Sequence, residues 1–324
     1  MKRTAGSWLA VRFASNIFYA HSMKLTHSRA VLVMIAVTLM WSIAGVVTRH
    51  LEQAQSFEVT FWRSLFTLIS LLIILPIVQG REVFTRIRQA RAPLWISGVC
   101  WSVMFTAFMV ALTLTSVANV LVTLAVGPLM TALLARIFIG HRIPLRTWLA
   151  IVAAGLGIGW MFGSHLVLGG VADVGAGSKS QVLGTFVALL VPLAGAINWT
   201  VVQRSQAHGE KIDLIPAVLV GAFISSLVTL PLAFPFAASL HDIGLLALLG
   251  LVQLAIPCVL SVHCATVLKA PEIALLALLE VIFGILLAWV GANEVPGASV
   301  LTGGSLVIGA LLLNELVGWR QRGA

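Results

Sequence analysis

Charge is what this chain has least of: Asp, Glu, Lys and Arg make up 10% of its 324 residues, while 60% are hydrophobic. A soluble fold cannot hydrate its surface with so few charged groups. Cysteine is scarce too, and Cys100, Cys258 and Cys264 all fall in apolar stretches without metal-ligand spacing. They read as small core residues, which leaves no disulfide framework and no metal site to expect. Asp173, Asp213 and Asp242 all stand outside the longest apolar runs. The chain has no HExxH, no aspartate pair and no Ser–His–Asp constellation, so it is not expected to be an enzyme. An intramembrane enzyme acting on a lipid would need acids or metal ligands converging at one membrane face. There is no Walker sequence either, and Gly155-x-Gly157-x-Gly159 sits inside an apolar run, which points to close helix packing and away from a bound nucleotide or other cofactor. The net charge of +9 is scattered over short loops. That distribution argues against a nucleic-acid partner.

What the chain does have is long apolar runs, each sufficient to cross the ~30 Å hydrocarbon layer as a helix. They lie near 30–48, 58–78, 93–113, 116–138, 146–163, 182–203, 214–236, 243–262, 271–290 and 297–317. Pro93, Pro144, Pro271 and Pro296 stand at helix starts, whereas Pro128, Pro192 and Pro257 fall inside runs and predict kinks or breaks. With the N-terminus in the cytoplasm, the inner segments hold seventeen Lys and Arg and the outer ones only Arg49 and Lys179. This asymmetry sets a multi-pass topology in the cell (inner or plasma) membrane with both termini cytoplasmic. Trp62, Trp95, Trp148, Trp160, Trp289 and Trp319 fall near run ends as interfacial anchors, leaving Trp41, Trp101 and Trp199 inside.

The layout repeats. Leu75-Pro76 recurs as Leu230-Pro231 and Val47-x-Arg49 as Val202-x-Arg204, at a spacing of 155; Pro144 and Gly157 recur as Pro296 and Gly309 at 152. Each half holds an odd number of runs, so the second must sit upside down relative to the first. The expected fold is all-α, with ten transmembrane helices in two inverted five-helix repeats, 30–163 and 182–317. A Gly/Ser/Ala-rich extracellular linker, 164–181, joins them, and a cytoplasmic tail, 318–324, follows. Inverted repeats are a recurring plan in secondary transporters, with the substrate site near the midplane. Residues 1–29 carry five Lys/Arg and no acid. They read as a mis-assigned start with initiation at Met23, a surface helix on anionic lipid, or a disordered tail; the first is favoured.

Met40-Trp41-Ser42, Phe61-Trp62-Arg63, the stretch Ala118–Pro144 and its counterpart Ala270–Pro296 together resemble the EamA-type carriers of the drug/metabolite transporter superfamily. Such carriers often show a Glu just after a Gly at the end of the fourth and ninth helices. Glu294 follows Gly291 loosely, whereas His141 stands where the first-half Glu is expected. The resemblance implies export of amino acids, their derivatives or other metabolites, with import in some members.

Glu280 is the only carboxylate in the middle of an expected span. A charge there costs about 2.5–3.5 kcal/mol on insertion scales, so it faces a cavity or a partner. It reads as a site for a substrate ammonium or a proton, or as a helix-to-helix bond; the resemblance matches it to a common Glu of the ninth helix. Arg63, about two turns into the second span, reads as an outer-leaflet anchor, a partner of Glu58 or Glu280, or a substrate-carboxylate site. Asn119, Asn198 and Gln253 are amides suited to a zwitterion or to holding helices together, the last two being the stronger cavity candidates. Trp41, Trp101 and Trp199 would line a pocket or pack the core. Ser42 and Thr123 offer hydroxyls, and His263 a structural bond or a proton relay. The expected function is a secondary carrier that exports small metabolites such as amino acids or their derivatives by alternating access, with proton coupling through Glu280 as an option; the alternatives are import of a metabolite or vitamin on the same fold or, far less favoured, a membrane enzyme on a lipid substrate. Its partners are a small-molecule substrate and the lipid bilayer, and its small-residue faces suit either a monomer or a homodimer.

Overall fold

The structure is a computed structural model that describes residues 26–139, 144–167, 176–207, 215–264, 267–268 and 270–323. Residues 1–25, and residues 140–143 with His141, lie outside the described residues. Among the described residues all regular structure is helical. The helices are α1 His27–Thr48, α2 Ser56–Gln79, α3 Glu82–Arg88, α4 Ala92–Leu114, α5 Val117–Leu124, α6 Gly127–Ile139 and α7 Leu145–Val167. The second half adds α8 Ala176–Ala207, α9 Ile215–Thr229, α10 Leu240–Leu248, α11 Ile256–Cys264, α12 Ala270–Ala292 and α13 Ala298–Gly323. A π-helical segment, Leu249–Ala255, joins α10 to α11.

Among the described residues seven stretches are long and apolar enough to cross a membrane: His27–Thr48, Phe57–Gln79, Ala92–Leu114, Val117–Phe138, Ser180–Asn198, Leu240–Ser261 and Ala298–Gly318. Leu145–Trp160, Pro216–Leu232 and Leu279–Ala292 are apolar but shorter. Burial is distributed as a lipid solvent demands. Large apolar side chains such as Leu32, Ile77, Leu149 and Val290 face outward, while Glu58, Arg63, Thr67, Ser97, Asn198 and Gln253 are buried. In lipid the outward apolar surface carries no penalty, and polar groups must find partners inside.

Proline acts in three different ways. Pro128 stands in the first turn of α6, where the expected 116–138 span breaks into α5 and α6 around Ala125 and Val126. Pro257 stands at the start of α11 and offers no N–H to the Gln253 carbonyl one turn back, and the wide π-helical segment lies immediately before it. Pro192 lies inside α8, which runs through it without interruption. The expected span 214–236 stops earlier than its hydropathy suggests: α9 gives way to a short 3₁₀ turn at Leu230–Leu232, and Phe234–Phe236 are not helical. Pro231 and Pro235 supply no N–H to continue the helix there.

α4 packs against α8 and α9, α13 against α7, α12 against α1 and α5, and α9 against α2; α6 and α5 pack on α8, and the π-helical segment and α10 on α2. Glycine allows two close backbone approaches. A Cβ on Gly250 would meet the Arg63 carbonyl at 2.9 Å and the Thr67 amide nitrogen at 2.8 Å, and one on Gly157 would meet the Gly303 carbonyl at 2.7 Å. Gly157 thus does what its glycine-rich run predicted. Gly155 and Gly159 face open space.

Candidate functional site

The second helix carries Arg63 into the centre of the bundle, where it is 1% exposed. This overturns the anchor reading, because a side chain so enclosed does not reach an interface. Its Nη1 donates to the Gln253 Oε1 at 3.0 Å and its Nη2 to the Phe105 carbonyl at 2.9 Å. The guanidinium carbon lies 5.7 Å from the ring centroids of both Phe105 and Phe108. Its Nε–H has no partner. Nor does Arg63 pair with Glu58, whose carboxylate accepts from the Ala237 amide at 3.0 Å, the Ala238 amide at 2.8 Å and the Trp62 indole at 3.3 Å. Gln253 is held by the π-helical segment, whose backbone rests on α2: the Thr67 hydroxyl donates to the carbonyls of Arg63 and Gly250 at 2.8 and 3.2 Å.

Glu280 is half-buried on α12 and makes no hydrogen bond or ion pair among the described residues. One turn further along α12, Gly284 passes α1 beside Ser42. The Cys258 thiol on α11 lies within electrostatic range of both Arg63 and Glu280. Arg63 and Glu280 thus both act on one thiol, and among the described residues no ion pair joins them. A buried charge that lacks a counter-charge is costly.

The other expected site residues divide. Trp101, one turn before Phe105 on α4, packs its ring 5.5 Å from that of Phe105 and leaves its buried indole N–H without a partner. Trp41 is half-buried on α1, and its carbonyl accepts a long, 3.5 Å bond from the Gln253 Nε2. Ser42 and Thr123 bond back to their own helices, at 2.7 Å to the carbonyls of Leu39 and Asn119. Asn198 is committed away from this cluster: its Oδ1 accepts the Ser97 hydroxyl at 2.6 Å and ties α8 to α4. Asn119 joins α5 to α8 through Thr185 Oγ1 at 2.6 Å. His263 is half-buried in the last turn of α11, and the Trp199 side chain lies outside the described residues.

Two polar groupings did not stand out in the sequence. Ser64, Thr106 and Ser225 form a hydroxyl chain across α2, α4 and α9, with links of 2.9 and 3.0 Å. Its only signal was position, since Ser64 directly follows Arg63. The second lies at the end of the bundle where α1 stops and α2 begins. There the Glu294 carboxylate takes the Arg49 Nε at 2.6 Å and the Val117 amide at 2.7 Å, and Arg49 also donates to the carbonyls of Leu112 and Thr115 at 2.8 and 2.7 Å. Asp242 takes the amides of Glu52, Gln53 and Ala54 at 2.8, 3.0 and 3.0 Å. Glu294 was marked only by family pattern and Asp242 only as a loop residue, because the amides they hold carry no sequence signature.

No curated protein matches this chain. Among the solved structures, one crystal structure superposes at a TM-score of 0.59, with 16% identity, over 91% of this chain and 99% of that chain. At that identity the likeness shows a shared fold alone. Residues 28–163 match the model of the EamA-like transporter family. Over those residues the chain is thereby similar to the EamA-like transporter family, within the drug/metabolite transporter superfamily.

Proposed function

We propose that this protein is a secondary carrier that exports small metabolites, such as amino acids or their derivatives, by alternating access between two inverted five-helix repeats. The observation that carries this reading is the pair of ionisable side chains at the centre, Arg63 and Glu280, which form no ion pair among the described residues. Among the described residues the Arg63 Nε–H and the Glu280 carboxyl have no partner, and Cys258 stands within electrostatic range of both. A ligand with a carboxylate and an ammonium would engage both groups at once, with the Trp101 indole N–H as a further donor.

The packing supports the repeats. Counting α5–α6 and α10–α11 as one span each gives ten spans: α1, α2, α4, α5–α6, α7 and then α8, α9, α10–α11, α12, α13. Moving each contact five spans along turns α4 on α8 into α10–α11 on α1, α4 on α9 into α10–α11 on α2, and α1 on α12 into α8 on α5–α6; all of these occur. The contacts α2 on α9, α5 on α12 and α7 on α13 map onto themselves. Such exchange symmetry is what a pseudo-two-fold axis between the halves produces.

The test is efflux of a metabolite panel (amino acids, toxic analogues, polyamines and flavins) from cells with the wild type, the Glu280→Gln variant or an empty vector. One class leaving faster only with the wild type supports the exporter. The same class accumulating inside would reverse the direction, and no difference across the panel would count against the carrier.

A further inference from the structure

We propose that Glu58, Asp242 and Glu294 form a latch that holds one end of the bundle shut and opens once in each transport cycle; this rests on the alternating-access reading above. All three carboxylates lie at the same end of the molecule, and each reaches across from one repeat to the other. Glu58, in the first turn of α2, holds the amides of Ala237 and Ala238 before α10. Asp242, in the first turn of α10, holds the amides of Glu52, Gln53 and Ala54 before α2. The two clamps are reciprocal: each carboxylate opens one helix and captures the segment that precedes the other. Glu294, just past α12, takes both the Arg49 side chain at the end of α1 and the amide of Val117, the first residue of α5.

The chemistry of the captured groups explains why these bonds hold. Residues 51–55 and 234–239 are not helical, and Val117 opens a helix, so these N–H groups have no helical carbonyl to bond. Left without a helical partner, they are free to bond a carboxylate, which offers two acceptor oxygens at once. Backbone conformation aims the third clamp. Asn293 takes φ +52°, and the Glu294 amide bonds back to the Ala288 carbonyl at 3.1 Å, a left-handed helix end that folds the carboxylate over α1. Bonds between the repeats at the opposite end include Ser97 to Asn198 at 2.6 Å and Thr147 to Asn314 at 2.8 Å, between neutral groups. In the orientation expected from the Lys and Arg distribution, the latched end faces outward.

The experiment uses Cys258, which is 4% exposed and within electrostatic range of Arg63 and Glu280, as the reporter of an open centre. In the full chain, Cys100→Ala and Cys264→Ala leave it as the single thiol. A membrane-impermeant thiol reagent is applied to right-side-out and to inverted vesicles. The expected result is that Glu294→Gln with Asp242→Asn raises labelling from the latched face about fivefold or more and lowers it from the other face, as a shift between two states requires. Thr147→Val, which cuts a bond at the opposite end, does not raise latched-face labelling. Labelling that rises from both faces would mean a loosened fold and overturn the latch. So would unchanged rates in variants of a protein whose wild type is labelled from one face. Background labelling from both faces in every variant, wild type included, would contradict the carrier reading itself and bring the latch down with it.

Discussion

Arg63 combines features that a purely structural residue does not need. It is fully enclosed and, among the described residues, has no carboxylate partner and keeps one N–H unpaired. Replacing a buried, poorly compensated charge with an apolar side chain of similar length is often neutral or stabilising. Arg63→Met is therefore expected to hold or raise the melting temperature in detergent while abolishing transport; a large loss of stability would show a structural role instead. Arg63→Lys keeps the charge but loses the planar fork that reaches Gln253 and the Phe105 carbonyl together. Losing one charge-assisted bond costs about 1.5–3 kcal/mol, so the substrate concentration for half-maximal transport should rise roughly tenfold to a hundredfold. Glu280 carries the separate prediction of proton coupling. A pH gradient should drive substrate movement in the wild type and fail to do so in Glu280→Gln. Transport unchanged in that variant at every pH would rule the coupling out.

At the scale of elements, the interruption between α10 and α11 positions the centre. Pro257 withholds an N–H from the Gln253 carbonyl, and the π-helical segment turns Gln253 toward Arg63. Pro257→Ala would permit a regular helix there, so it is expected to keep or improve stability while lowering transport. Gly250 gives this segment its close seat on α2. A methyl there meets the backbone of Arg63 and Thr67 at 2.9 and 2.8 Å, so Gly250→Ala should destabilise by about 1–3 kcal/mol. Gly309→Ala is the control: nothing stands within 4 Å, and its effect should lie within about 1 kcal/mol and favour the helix. Thermal unfolding of the two variants in one detergent checks both.

How much the sequence disclosed follows from the range of each interaction. The helices were legible because hydropathy is local, and so were the breaks at Pro128 and Pro257. The end of α9 was misjudged because apolar residues continue through Phe236 after Pro231 and Pro235 have stopped the helix. Arg63 and Glu280 stood out as lone charges in apolar runs. The partnership of Arg63 with Gln253, 190 residues away, left no local mark. The partners of Glu58 were misread for a related reason: the nearest cation in sequence looked like the natural choice, whereas the carboxylate bonds amides 179 and 180 residues distant.

At the scale of the whole molecule, the proposal joins the exchange pattern of helix contacts, two ionisable groups at the centre and carboxylates clamping one end into two halves that part at either side of a shared site. Counterflow in proteoliposomes tests that account most directly. Vesicles are preloaded with the unlabelled metabolite identified by the efflux panel and diluted into a trace of labelled compound. The account predicts transient accumulation of label with the wild type and none with Arg63→Met or Glu280→Gln. Label that only equilibrates with the wild type, or accumulates equally with the variants, would contradict it.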